Sequence, residues 1–264
     1  MSKNILHLNP NSMHLRTEDL TRIEIEYDSG VIPPPYSHIF KLKIGFGKNF
    51  LETQLDMVYT DREEISEDEI LNEGFSVDDD YHFQGEIPKV WEKPLRELYA
   101  KSKWSNKKLD EEGGIKLLAK DSQGQIVRTV PFNQEDWQFF SQDYIQAIYE
   151  ISKKEAPLTL HYLIRENETV NEISLTVKFS IRKIEATVNG KTKEADWDET
   201  KELLSFIFLP DYDYGIATES KPTLKGHFIE CGDGYWHDMQ KGVFNIDDSF
   251  DAVSKIKQGF LRLI

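Results

Sequence analysis

Apolar and charged residues alternate twice near the start of the chain. Ile23, Ile25 and Tyr27 point one way along the first run, and Glu24, Glu26 and Asp28 the other. In the second run Phe40, Leu42 and Ile44 share a face opposite Lys41 and Lys43. A period of two is the mark of a strand with one dry face. Laid antiparallel with Ile25 opposite Leu42, the runs also set Tyr27 against Phe40, Glu26 against Lys41 and Glu24 against Lys43. One register thus satisfies both faces, apolar pairs inside and opposite charges outside. The pattern predicts a hairpin with Ser29–His38 as its loop. Gly30 supplies the turn, and Pro33–Pro35 a return path in polyproline II.

The same reading continues along the chain. Residues 49–60 predict a third strand. An acid-rich stretch, 61–84, predicts a solvated loop with a short helix at Ser66–Asn72, where Ser66 and Glu69 can form a capping box. Ile87, Val90, Trp91, Leu95, Leu98 and Tyr99 recur at helical spacing, so a helix is expected over about 87–104, kinked at Pro94 or starting there. Two short strands, 115–120 and 125–130, flank the turn DSQG. A helix follows Asn133, with Trp137, Phe140, Tyr144, Ile148 and Ile151 on one side. Beyond a short linker at 153–157, alternation predicts strands at 158–165 and 172–181 and a third ending at an Asn189-Gly190 turn. Asp196 opens a helix that Pro210 stops. A hairpin is expected around Gly232–Gly234, and a last helix over 248–264.

Written as element types, each half runs strand, strand, strand, helix, strand, strand, helix. The last helix of each half opens similarly, FNQED at 132–136 and FNIDD at 244–248. We therefore expect an α+β fold of mainly antiparallel sheets with helices on one face, built as an internal duplication. The expected parts are an N-terminal extension (1–16), a first half (17–156) with the acidic insert 61–84, and a second half (157–264).

Charge and composition narrow the partners. The 264-residue chain holds 47 Asp and Glu against 32 Lys and Arg, a net charge of −15, which repels phosphate backbones and anionic lipid. No basic run offsets it, so neither nucleic acid nor membrane is expected as a partner. A protein with a basic surface is. The single cysteine, Cys231, rules out an internal disulfide and any CxxC site. The N-terminal stretch carries no apolar run of signal-peptide length, and the expected location is cytoplasmic.

Candidate chemistry gathers in two places. The stretch HFIECGDGYWHDM, 227–239, holds imidazoles and carboxylates of the kind a divalent metal needs, and His227, Glu230 and His237 are the candidate ligands. Register decides whether they converge. A three-residue Gly232–Gly234 loop puts His227 and His237 on one face with Cys231 and Tyr235; a two-residue turn sets His237 beside Glu230 instead. The bland alternative is a surface hairpin whose aromatics pack on a helix. No cofactor other than such a metal is indicated. The second place is the first hairpin loop, where Tyr36 and His38 could line a pocket, as could Tyr235 and Trp236 at the later hairpin. PPPY at 33–36 also fits the PPxY ligand of WW domains, though strands clamp it closely. Glu24-Ile-Glu26 resembles part of the ExExK opening of triphosphate-tunnel enzymes, but Asp28 stands in the lysine position. There is no GxSxG elbow, phosphate loop or dinucleotide fingerprint.

The leading expectation is a non-catalytic acidic binding protein, inhibitor-like or immunity-like. A metal-assisted hydrolase using the 227–239 cluster is the second, and a structural or assembly protein the third. Oligomeric state is not readable from the chain.

Overall fold

The computed structural model describes residues 14–109, 111–166 and 168–264; the expected extension 1–16 lies outside them except for its last three residues. The fold is α+β, and the chain divides into two compact units, Met1–Ile151 and Ser152–Ile264.

In unit 1 the order is β1 (Leu20–Asp28), β2 (His38–Phe46), β3 (Phe50–Tyr59), α1 (Glu67–Asn72), β4 (Tyr81–Pro88), α2 (Glu92–Lys101), β5 (Trp104–Ser105), β6 (Gly114–Asp121), β7 (Ile126–Pro131) and α3 (Gln134–Ile151). The first hairpin has the expected register, with Ile25 facing Leu42, Tyr27 Phe40, Glu26 Lys41 and Glu24 Lys43. The antiparallel sheet runs β4-β3-β2-β1-β6-β7-β5. Ile23, Ile25, Leu42, Ile44, Leu51, Leu55 and Leu117 bury its apolar face. Each such side chain contributes roughly 1.5–3 kcal/mol relative to leaving it in water. Helix α3 covers that face: the Tyr144 hydroxyl meets the Thr53 hydroxyl at 2.7 Å, and its ring meets Trp91 edge-on at 5.5 Å.

Two expectations for unit 1 change. The stretch 61–84 is not all loop outside its expected short helix. Helix α1 forms with its capping box, Ser66 Oγ accepting from the Glu69 amide at 3.3 Å and the Glu69 carboxylate from the Ser66 amide at 2.8 Å. Tyr81 onward is a strand. Ile87 therefore ends β4, facing Leu51, rather than opening a helix. Helix α2 begins at Glu92 and carries Pro94 in its first turn, where a missing amide costs nothing.

Unit 2 contains β8 (Leu158–Glu166), β9 (Thr169–Lys178), β10 (Lys183–Val188), β11 (Lys191–Ala195), α4 (Trp197–Ile207), β12 (Asp211–Tyr212), β13 (Gly226–Glu230), β14 (Trp236–Asp238), β15 (Val243–Phe244) and α5 (Ala252–Leu261). Its main sheet runs β11-β10-β9-β8-β13-β14. The Asn189-Gly190 turn forms with both residues left-handed, at φ 50° and 79°. Asp196 caps α4 by accepting from the Asp198 and Glu199 amides. Helix α5 starts later than expected, at Ala252, where Asp251 accepts from the Ser254 amide. Phe260 of α5 stacks on Tyr162 of β8 at 4.4 Å, over the face that also buries Leu160, Leu175 and Val177.

The two main sheets follow one plan. Each is a four-strand meander, then a helix, then a hairpin docked beside the first strand, then a helix.

Candidate functional site

The 227–239 hairpin pairs Phe228 with Asp238, Ile229 with His237 and Glu230 with Trp236. This is the register of the three-residue loop. It puts His227 and His237 on one face and Glu230 on the other, which separates the three candidate metal ligands. Each is already engaged. His227 is buried, with Nδ1 3.2 Å from the Tyr162 hydroxyl and Nε2 3.2 Å from Glu166. Glu230 Oε1 accepts from the amides of Gly232 and Gly234, both at 2.8 Å, and so closes the loop. His237 Nε2 lies 3.4 Å from Asp233, and the Tyr212 and Tyr214 rings meet the imidazole edge-on at 4.9 and 5.0 Å. Among the described residues no group of three or more His, Cys, Asp or Glu is placed to hold a metal ion. Burial pushes the Cys231 thiol up to about 12, which keeps it protonated and unreactive at neutral pH. Tyr235 is at the loop, 5.8 Å from Tyr214, and Trp236 lies over His161 at 6.1 Å.

The proline loop is a tight turn rather than polyproline II. The Tyr36 and Ser37 amides both donate to the Pro33 carbonyl at 3.2 Å, and the Pro34–Pro35 peptide is cis. The acidic insert closes over this turn. The Tyr36 hydroxyl donates to Glu73, and its ring meets Phe75 edge-on at 5.2 Å. Arg62 lies over Tyr59 (4.1 Å) and Phe75 (5.1 Å), pairs with Asp79 at 2.8 Å and donates to the Pro35 carbonyl at 3.3 Å. His38 Nδ1 lies 2.9 Å from the Tyr36 carbonyl. Tyr36 and His38 are thus joined to each other and to the insert. Neither lines the concavity described next.

That concavity is a groove of about 910 Å³ on the outer face of unit 1's sheet. Its floor follows from the strand registers. Residues His82, Asp56, Lys41, Glu26 and Lys116 lie side by side on β4, β3, β2, β1 and β6. From Asp56 to Lys116 the charges alternate, and these four residues line the groove; His82 continues the row beyond it. His82 sits 2.6 Å from Asp56; Lys41 and Lys116 reach Glu26 at 2.7 and 3.2 Å. Lys41 also reaches the buried Glu24 at 3.2 Å, beside Arg22 at 2.9 Å. Burial alone would raise the Glu26 carboxyl, but its bonds to Lys41 and Lys116 hold it below the usual range.

The wall is the segment from Ser105 to Leu109. Trp104 anchors it: the indole is buried against Tyr99 (4.8 Å) and Trp137 (6.1 Å), and Ser105 pairs with Val130 of β7. The wall then crosses to the start of β6, where Leu109 packs by Gly114. Apolar lining comes from Ile39, Val58, Leu109, Leu118 and Val130. Of the carboxylates, Glu26 bonds two lysines and Asp56 bonds His82 and Gln54, while the exposed Asp28 accepts from the Gly30 amide. Lys107, Lys108 and Arg128 line the groove, are exposed, and make no ion pair among the described residues. With five cations against three carboxylates in its lining, the groove is net positive, in a chain of net charge −15.

Sequence reading did not find this site. Its cations are spread over a loop and two strands, and only the Lys107–Lys108 pair is a local signal. Comparisons with protein-family models, with curated proteins and with solved structures found no match for this chain.

Proposed function

We propose that the chain is a non-catalytic binding protein, and that the outer-face groove of unit 1 receives an extended segment of a partner protein. One observation carries this reading: a groove of ligand size, about 910 Å³, joins exposed apolar side chains to cations that have no ion-pair partner among the described residues. Ile39 and Val58, paired across β2 and β3, are 41% and 42% exposed and offer adjoining apolar contact to an occupant. Open clefts of this kind suit a strand-like chain, because main-chain and side-chain groups can both reach the floor. The polar floor disfavours a purely apolar ligand, which would have to lie across the charged row.

Panning a displayed library of random dodecapeptides on the whole chain tests this. Clones should enrich and should lose binding to the double variant Ile39→Asn, Val58→Asn. Both positions are well exposed, so the fold should tolerate the change. No enrichment, or clones that bind both proteins equally, would remove the groove as the site.

A further inference from the structure

The lining of the groove changes along its length. Its best-exposed apolar side chains, Val58 and Ile39, belong to β3 and β2. At the other end, on the wall, β6 and β7, Leu109, Leu118 and Val130 are joined by Lys107, Lys108 and Arg128, the cations without an ion-pair partner among the described residues. The strand order β3-β2-β1-β6-β7 puts four strand spacings between the extremes. At ~4.8 Å each this is about 19 Å. From the Ile39–Val58 side to Arg128 on β7 is three to four spacings, about 14–19 Å. An extended chain advances about 3.3 Å per residue, so about four to six residues cover that distance.

We infer that the occupant is an extended acidic segment, with apolar side chains at one end and a cluster of Asp or Glu about four to six residues away. The inference rests on the proposed role of the groove as a partner-segment site. Charge complementarity selects the acidic class. The lining holds five cations, Lys41, Lys107, Lys108, Lys116 and Arg128, against three carboxylates, Glu26, Asp28 and Asp56, and an acidic segment finds Lys107, Lys108 and Arg128 without an ion-pair partner among the described residues. The overall charge of −15 points to a basic partner instead, as composition alone implies. Distance decides between them. Beyond about 8 Å salt screens the remote carboxylates, and the cations in contact set the preference. Overall charge then acts on approach, slowing association at low salt.

The test is fluorescence anisotropy with labelled synthetic peptides. The parent carries two leucines, a neutral three-residue spacer and three glutamates; three further peptides replace the glutamates by glutamines, the glutamates by lysines, or the leucines by serines. The parent should bind at least tenfold more tightly than any of them. The variant Lys107→Glu, Lys108→Glu, Arg128→Glu should lose the parent by at least tenfold and gain the lysine peptide, a reversal that misfolding cannot imitate. All three positions are exposed. If the glutamine peptide binds as well as the parent, and both are lost in Ile39→Asn, Val58→Asn, the acidic class is wrong while the groove stands. If no peptide binds and no displayed clone depends on the groove, both readings fall.

Discussion

Units 1 and 2 share a strand plan but spend the same connection differently. In each, a segment joins the first long helix to the strand that docks beside the first strand. In unit 1 that segment contains β5 and the wall, and leaves the outer face of the sheet concave. In unit 2 residues 208–225 are tied down instead. Tyr212 packs on His237 and bonds the Ile207 carbonyl at 2.6 Å, Thr218 bridges Trp236, and Lys221 pairs with Glu172 at 2.6 Å. The strand plan alone therefore does not make the groove. The connection does, as expected where a rigid scaffold carries a variable loop.

The sharpest way to break this contrast is to loosen the wall. Trp104→Ala removes a buried indole between Tyr99 and Trp137 and should cost about 3–5 kcal/mol. Urea denaturation followed by circular dichroism measures it, and peptide binding should vanish with the wall. A loss below about 1 kcal/mol would mean that Trp104 is not the anchor. In unit 2 the matching claim is tightness around Cys231. A thiol held near 12 is almost wholly protonated at pH 8, whereas an unfolded one, near 8.5, is partly thiolate. Alkylation by iodoacetamide at pH 8 should thus be at least a hundredfold slower in the native protein than in urea. Equal rates would show the tied-down segment to be open.

Much of the scaffold was legible in the chain, and the reason is local. The first hairpin was readable because two faces had to match at once, and one slip would have set Ile25 against a lysine. Asn189-Gly190 and the caps at Ser66 and Asp196 were readable because their chemistry lies within three residues. Strand β4 was missed because Ile87 and Trp91 also fit a helical stripe, and only pairing with β3 decides between the periods. The candidate metal set failed for a related reason. Facing depends on register, and Glu230 spends an oxygen on two loop amides. The groove was invisible since its lining joins residues from 26 to 130 through strand order.

The acidic insert offers the next contrast, because unit 2 closes the equivalent β10–β11 connection with two residues, Asn189 and Gly190. Arg62 holds the insert to the proline turn. Arg62→Ala should cost about 2 kcal/mol, since it breaks charge-assisted bonds to Asp79 and to two carbonyls in a largely buried place. Arg62→Lys should recover little, because an ammonium cannot lie flat over Tyr59 while forking to these partners. Thermal unfolding of the three proteins side by side checks both statements. A shift below about 1 °C for Arg62→Ala would mean that the insert is dispensable to unit 1.

The smallest expected effect lies in the groove floor. Lys116→Ala removes one of two lysines on Glu26, and with a side chain 59% exposed it should cost under about 1 kcal/mol, most of it screened. The sign of its pH dependence is nevertheless definite. The folded-state pKa of Glu26 is depressed, so its pairing contributes stability above the unfolded value, near 4.3, and loses it as pH falls through the folded value. Without Lys116 the Glu26 carboxyl should titrate higher, while Lys41 still holds it at 2.7 Å. Carbon-detected NMR titration of Glu26 reads this shift directly. The stability gap between the two proteins should then be present at pH 7 and narrow as pH falls through the folded-state pKa of Glu26, closing where the titration shows Glu26 protonated in both. A gap of the same size there would assign the loss to packing of the lysine stem, and the alternating row would be geometry without electrostatic consequence.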